Sequence, residues 1–425
     1  MAAPPRSVVV VGASHAAVEF ADSLRSAGFT GAITLIGAEQ HQPYQRPALS
    51  KSFLAGSVSA ESLALRAPQW YVDNSVNLVL GQRVRKITTG PDGTGTVYTT
   101  AEAGGPDASY AYDRLVLATG ARPRQLRIPN GDADGVLLLR DVDDARALAE
   151  RAARGPVVVI GGGFIGLEAA ATIVKMGGAA TVLEVAPRLM GRAVGTVTAD
   201  FMREAHAAMG VDVRLGTVPE QILVDDAGRV RGVRTDGGEI SALTVLVGIG
   251  VQPREEVAES LGLSCAGGVV VDERCMTSDG RTLAIGDCTV QPWPRAVAGG
   301  SRTIRLESVD NASEQALVAS KTIMGELNSD RGTPWFWSDQ GAWKMQMVGV
   351  VGDHDKTVVR SDANRPTRLV VGYFLRDRLV AAECVNSPAD FVVLRTALNR
   401  GMQITPNMFS DSTVPLKKTL ARVDA

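Results

Sequence analysis

From residue 157 the chain reads Val157-Val158-Val159-Ile160-Gly161-Gly162-Gly163-Phe164-Ile165-Gly166-Leu167-Glu168-Ala169-Ala170. The β-branched run predicts a buried strand, the glycines a tight turn, and the apolar residues after them a helix start. Gly161, Gly163 and Gly166 have the Gly-x-Gly-x-x-Gly spacing, which lets the backbone turn sharply, approach a pyrophosphate and pack the helix against the strand. The helix N-terminus then holds the diphosphate. A second strand, Ala180-Thr181-Val182-Leu183-Glu184, ends in an acid about twenty residues further on, where a carboxylate binds ribose hydroxyls and repels a 2′-phosphate. NADH is therefore expected over NADPH. Glycine turns also join strands to helices for structural reasons alone, but here strand, turn, helix, strand and acid all fall in register.

The same plan occurs near the N-terminus in degraded form. Ser7-Val8-Val9-Val10-Val11-Gly12-Ala13-Ser14-His15-Ala16-Ala17-Val18-Glu19 keeps Gly12, while Ser14 and Ala17 stand at the second and third glycine positions. Both are small enough for close packing. The following strand, Ala32 to Ile36, ends near Glu39, a candidate ribose ligand whose alternative is a solvated surface acid. Each unit continues with a further strand, turn-rich hairpins and a buried strand, ending Ala118-Thr119-Gly120 in the first and Gly248-Ile249-Gly250 in the second. A duplication of this kind implies two dinucleotide domains in one chain, and two nucleotide cofactors imply electron transfer between them.

At 425 residues the length suggests about three domains. A net charge of −2 gives no footprint for nucleic acid. No segment has the unbroken apolar length of a membrane span and the first residues lack a signal-like region, so a cytoplasmic protein is expected. The four cysteines, Cys265, Cys275, Cys288 and Cys384, form no Cys-x-x-Cys or zinc-ligand spacing, and none precedes residue 265. That pattern argues against disulfide or peroxide chemistry, which needs a thiol beside the redox cofactor. His15, His41, His206 and His354 are scattered and read as loop and surface residues rather than ligands, so no metal is expected.

Together with the two glycine motifs, Ala118-Thr119-Gly120-Ala121-Arg122-Pro123 and Leu283-Ala284-Ile285-Gly286-Asp287-Cys288 resemble the FAD/NAD-linked flavoprotein reductases of glutathione-reductase type. Four more segments narrow the likeness: Pro43-Tyr44-Gln45-Arg46-Pro47-Ala48-Leu49-Ser50-Lys51, Arg305-Leu306-Glu307-Ser308-Val309, Pro334-Trp335-Phe336-Trp337-Ser338-Asp339-Gln340 and Ser412-Thr413-Val414-Pro415-Leu416. These are similar to putidaredoxin-reductase-like, NADH-dependent ferredoxin reductases, which serve cytochrome P450 systems and aromatic-ring dioxygenases. The chain departs from that pattern in its degraded first glycine motif, in Ala38 where many relatives carry the acidic ribose ligand, and in Ala48 where proline is frequent.

The resemblance implies an α/β fold with two Rossmann-like dinucleotide-binding domains and a C-terminal α+β domain. The FAD domain would be discontinuous, 1–116 and 248–326, with the NAD domain at 117–247 and the C-terminal domain at 327–425. The sequence independently predicts four strands in that last region, near 346–351, 356–360, 369–374 and 379–385, arranged as a meander. A helix follows with Ser387 as N-cap, Pro388 in its first turn, Asp390 at a capping-box spacing and Gly401 at its end.

By resemblance, Lys51 and Glu168 lie near flavin N5, where pairing would avoid the several kcal/mol of an isolated buried charge. The bland reading makes Lys51 a structural anchor and Glu168 a helix residue. Asp287 would bind the ribityl or phosphate-linked part of FAD, its alternative being an Asx turn. Val309 would meet the isoalloxazine through backbone groups, and Arg46, Val84, Arg140 and Glu307 would add to the FAD site, with packing as the alternative role for both valines. Ala16 and Ile165, inside the two turns, and Gly250 complete the cofactor set. Trp335, Trp337 and Trp343 form a cluster that reads first as core, although resemblance moves Trp337 to the flavin edge as a catalytic residue. Electrons would leave singly to a two-iron ferredoxin docked on a local basic surface, with Arg66, Lys344, Lys417 and Lys418 as possible contributors. The protein would be a monomer or weak dimer. The same scaffold could serve an NADH oxidase, a rubredoxin reductase or a redox-sensing interaction protein, the last disfavoured by the near-neutral charge.

Overall fold

The computed structural model describes residues 5–293, 303–326, 331–360 and 365–423. The chain divides into two compact units, one of Met1–Gln45, Ala60–Arg122 and Val251–Gly332, the other of Arg46–Ser59, Pro123–Gly250 and Thr333–Ala425.

In the first unit, Ser7–Val11 (β1) is the middle of a parallel sheet because its valines are buried on both faces. Ala32–Ile36 (β2) pairs on one side and Arg114–Leu117 on the other, with Val76–Val79 and Leu283–Ala284 at the edges. One face is covered by His15–Ser26 (α1) and the helix Val309–Ile323, whose Phe20, Leu24, Ala316 and Ala319 share one buried cluster with Val8 and Val10. The other face meets an antiparallel three-stranded sheet through Val9, Val11, Ile87, Val97 and Leu117.

The second unit repeats this arrangement. Val157–Ile160 (β3) lies between Ala180–Glu184 (β4) and Thr244–Val247 (β5), all parallel, with Asp212–Leu215 and Val136–Leu137 at the edges. The central strand is thus flanked in both units by the strand that leads to the acid and by the buried strand that leads to a glycine. Phe164–Lys175 (α2) follows the glycine turn, and Thr196–Ala208 (α3) follows β4.

Five antiparallel strands then form a sheet of their own: Trp335–Gln340 (β6), Trp343–Gly349 (β7), Lys356–Arg360 (β8), Leu369–Leu375 (β9) and Arg378–Val385 (β10). Their order, β6-β7-β10-β9-β8, corrects the expected meander in two ways. The Trp335 segment is an extra strand, and the chain crosses from β7 to the far edge before returning. Burial accounts for the exchange: β9 and β10, both buried along nearly their whole length, take inner positions, whereas the charged, exposed β8 suits an edge.

Pro388–Arg400 (α4) begins after Ser387 and ends at Gly401, which has the left-handed φ of 66°. The capping box does not form. The Ser387 hydroxyl donates instead to the Asp390 carboxylate at 2.6 Å, and Arg368 donates to both side chains at 2.6 and 2.8 Å. The guanidinium takes up the oxygens that would otherwise cap the helix. Among the described residues, no helix is long and apolar enough to cross a membrane.

Candidate functional site

The first glycine turn is shaped by crowding. Gly12 has φ +125°, and a Cβ there would lie 2.1 Å from the Ala118 carbonyl oxygen. Only glycine allows β1 to turn this close to the Ala118-Thr119-Gly120 segment. Ser14 is the N-cap of α1, and Ala16 and Ala17 occupy its first turn, which contains no acidic residue to repel a diphosphate. Gly286 has φ +79°, and a Cβ there would come within 3.1 Å of Ala16, so the Gly286-Asp287 turn sits directly against that helix start. The Gly286 N–H donates to Gln315 Oε1 at 2.7 Å, and Gln315 Nε2 donates to Gln291 Oε1 and Thr289 Oγ1 at 2.9 and 3.0 Å. Glu39 accepts the Tyr44 hydroxyl at 2.6 Å, and Thr119 donates to the Arg254 carbonyl at 2.9 Å. Val309 opens its helix after the Ser308 cap. Glu307 is exposed and ion-paired with Arg305, and Val84 packs against the cluster on the outer face of the sheet. The unit thus offers a glycine cradle, a helix start free of acidic residues and a carboxylate turn, a donor and acceptor set that fits FAD.

The second glycine turn is tighter. Gly161 has φ +113°, and Cβ atoms at Gly161 and Gly166 would lie 2.4 Å from the carbonyl oxygens of Gly248 and Gly161. Gly163 is the N-cap of α2 and Ile165 lies in its first turn, 42% exposed. Glu184 Oε2 accepts the Gly162 N–H and Oε1 the Ala186 N–H, both at 2.8 Å. The carboxylate is therefore aimed beside the turn, as a ribose ligand requires. Gly250 has φ +94° and packs near Arg192. This set fits NAD(H).

One turn beyond the start of α2, Glu168 is 5% exposed and surrounded by donors. Lys51 Nζ lies 2.6 Å from its Oε2, with Lys51 19% exposed at the side chain, and also donates to the Pro47 carbonyl at 2.9 Å. The Ser50 hydroxyl donates to Oε2 at 2.5 Å and the Ser338 hydroxyl to Oε1 at 2.6 Å. Arg46, from the same segment, donates to the Arg140 carbonyl at 2.8 Å.

On β6, Trp337 stacks on Trp335 with ring centroids 5.3 Å apart, and Trp335 packs on Phe391 beneath the Arg395 guanidinium. Trp343 meets Phe201 edge-on. Of the basic residues, Arg66 is bound by Glu19 and Asp22 at 3.2 and 2.6 Å, which cancels its charge locally, whereas Lys344, Lys417 and Lys418 are exposed.

Sequence reasoning missed Ser50 and Ser338, whose single hydroxyls carry no signal of their own, and misread His206. That histidine is fully buried in α3 rather than in a loop or on the surface, and its Nε2 lies 2.7 Å from Gln340 Oε1. Its helical position between Ala205 and Ala207, on the face that includes the buried Met202, was the available clue.

Two dinucleotide folds closed by backbone-crowded glycine turns, with a buried ion pair on the helix of the second, define a pyridine-nucleotide-dependent oxidoreductase. The chain belongs to the pyridine nucleotide-disulphide oxidoreductase family, which residues 6–316 match, and residues 335–420 match the family described as reductase C-terminal. It is 40% identical to rhodocoxin reductase of Rhodococcus erythropolis over 98% of this chain and 95% of that protein. It is 36% identical to the ferredoxin–NAD(+) reductase component of the anthranilate 1,2-dioxygenase system of Burkholderia cepacia, over 97% of this chain and 98% of that one. The structure of the covalent putidaredoxin reductase–putidaredoxin complex matches with a TM-score of 0.91 and 35% identity, covering 99% of both chains. The enzyme uses FAD and NAD(H), as its family does.

Proposed function

We propose that this chain is an NADH:ferredoxin oxidoreductase that passes electrons from NADH through FAD to a two-iron ferredoxin, which supplies a cytochrome P450 or an aromatic-ring dioxygenase. The observation that carries the reading is the state of the thiols. No cysteine precedes residue 265, all four are free, and burial raises the Cys265 thiol to about 11 and the Cys275 thiol to about 12, with Cys288 and Cys384 also pushed up. Thiols held protonated, three of them buried and none in a Cys-x-x-Cys pair, are poor nucleophiles, which argues against dithiol chemistry in this chain.

The residues of each turn bind and orient. Gly12, Ser14, Ala16 and Ala17 with Gly286 and Asp287 hold the FAD phosphates and ribityl region, supported by Glu39, Val84, Ala118, Thr119, Gly120, Glu307 and Val309. Gly161, Gly163, Ile165 and Gly166 hold the NADH diphosphate, Glu184 takes its ribose hydroxyls, and Gly250 leaves room for the nicotinamide half. Bound FAD supplies the conversion of a hydride donor into single electrons. Lys51 and Glu168 keep the charge beside the reacting rings balanced, and Trp337 shields the flavin edge from water. We further propose a cytoplasmic location, where NADH is supplied.

The test reduces the purified flavoprotein with NADH without oxygen, then offers ferredoxin, rubredoxin and dioxygen separately. Fastest reoxidation by ferredoxin is expected, and a faster reaction with rubredoxin or dioxygen would reassign the acceptor. Replacing Lys51 with Met should slow flavin reduction about tenfold or more in anaerobic rapid mixing, since one partner of a buried pair is then left alone.

A further inference from the structure

Two faces meet around Glu168. On α2, Phe164, Glu168 and Thr172 recur every four residues and so share one face, while on β6 Phe336, Ser338 and Gln340 alternate and share the other. The Phe164 and Phe336 rings lie 4.7 Å apart, Ser338 reaches Glu168, and the Thr172 hydroxyl donates to the Ser50 carbonyl at 2.8 Å. Behind Ser338 the polar contacts continue. Gln340 Nε2 donates to Ser338 Oγ at 3.1 Å and faces Met190 Sδ at 3.6 Å, which leaves Oε1 toward His206 Nε2. Ser338, Gln340 and His206 are all fully buried.

The direction of this chain is determined by its ends. Glu168 paired with Lys51 only accepts, so Ser338 donates to it. Ser338 then accepts from the amide N–H of Gln340, whose carbonyl needs a donor in turn. His206 supplies it through Nε2–H, and its Nδ1, buried with no partner, is the bare nitrogen of a neutral ring. Burial pushes the imidazole down, in keeping with that neutral form. Every bond therefore points toward one carboxylate oxygen.

We propose that Ser338, Gln340 and His206 are positioning residues for the hydride-transfer step, holding Glu168 Oε1 so that Oε2 stays on Lys51 and Ser50. The inference deepens the reading above and rests on its assignment of the Lys51–Glu168 pair. Without the hydroxyl of Ser338 the carboxylate rotates, and a displacement on the order of 1 Å at a charge-controlling group is enough to slow a reaction many-fold.

The test compares Ser338→Ala, Ser338→Thr, Lys51→Met and the double variant Lys51→Met/Ser338→Ala by anaerobic rapid mixing of FAD-loaded protein with NADH. The limiting rate of flavin reduction, the apparent Kd for NADH and the FAD content are read in each. Ser338→Ala is expected to lower the limiting rate roughly tenfold with Kd for NADH and FAD content within about twofold, and Ser338→Thr to restore most of the rate. The double variant should be no slower than Lys51→Met alone, because Ser338 acts only through the pair. A wild-type rate in Lys51→Met overturns the reading of the pair and this inference with it. A slow Lys51→Met beside a wild-type rate in Ser338→Ala, or additive losses in the double variant, overturns this inference alone. Should Ser338→Ala lose FAD, Gln340→Met carries the same test, since it keeps the hydroxyl on Glu168 but removes the group that aims it.

Discussion

At the scale of single residues, Glu184 shows how a side chain is given one job by its backbone partners. Both oxygens accept main-chain N–H groups, from Gly162 and Ala186, so the carboxylate is held beside the glycine turn. Arg188, four residues further along, is committed to the carbonyls of Val194 and Gly191 at 3.1 and 2.7 Å, which occupies a guanidinium otherwise suited to a 2′-phosphate. Replacing Glu184 with Ala should lower kcat/KM for NADH about tenfold, the scale of one lost charge-assisted hydrogen bond, while NADPH is affected much less. Steady-state kinetics with both nucleotides will read the ratio, and an equal loss for each would deny Glu184 its role in discrimination.

Between elements, a second buried acid links α3 to the C-terminal sheet. Glu383 on β10 is 1% exposed, and its Oε1 accepts the Gly195 N–H at the start of α3 at 3.0 Å while its Oε2 accepts the Tyr373 hydroxyl of β9 at 2.8 Å. Burial pushes this carboxyl above its ordinary range, against the pull of the surrounding donors, and also raises the Tyr373 phenol. A folded state that holds its proton more tightly than the unfolded chain loses stability as pH rises from the ordinary 4.5 through the raised value. Glu383→Gln keeps the shape and removes the titration. Thermal melts should therefore show the wild type losing ground to this variant as pH climbs from about 4 toward neutrality, whereas a constant difference would mean another group titrates.

For the molecule as a whole, net charge is −2, so attraction of an acidic carrier depends on local basic side chains, of which Lys344, Lys417 and Lys418 are exposed. Docking of this kind is screened by salt, while reduction by saturating NADH is not a charge-steered encounter. Ferredoxin-dependent turnover should fall several-fold between roughly 0.05 and 0.5 M salt with the flavin reduction rate nearly constant. Parallel declines in both would place the salt effect inside the enzyme rather than at its docking surface.

Much of this was legible in one dimension because it is local. Gly161, Gly163, Gly166 and Glu184 act through a continuous strand, turn and helix, and so does the weaker copy at Gly12, where crowding against Ala118 explains why that glycine alone persists. The centre of the C-terminal sheet was not legible, since strand order depends on which strand is buried on both faces. Nor was the environment of Glu168. Ser50 and Ser338 stand 118 and 170 residues from it, and helical and strand periodicities assign each to a face without saying which faces meet. Backbone turns and nucleotide motifs follow from neighbours in the chain, whereas a buried carboxylate acquires its partners only when distant segments pack.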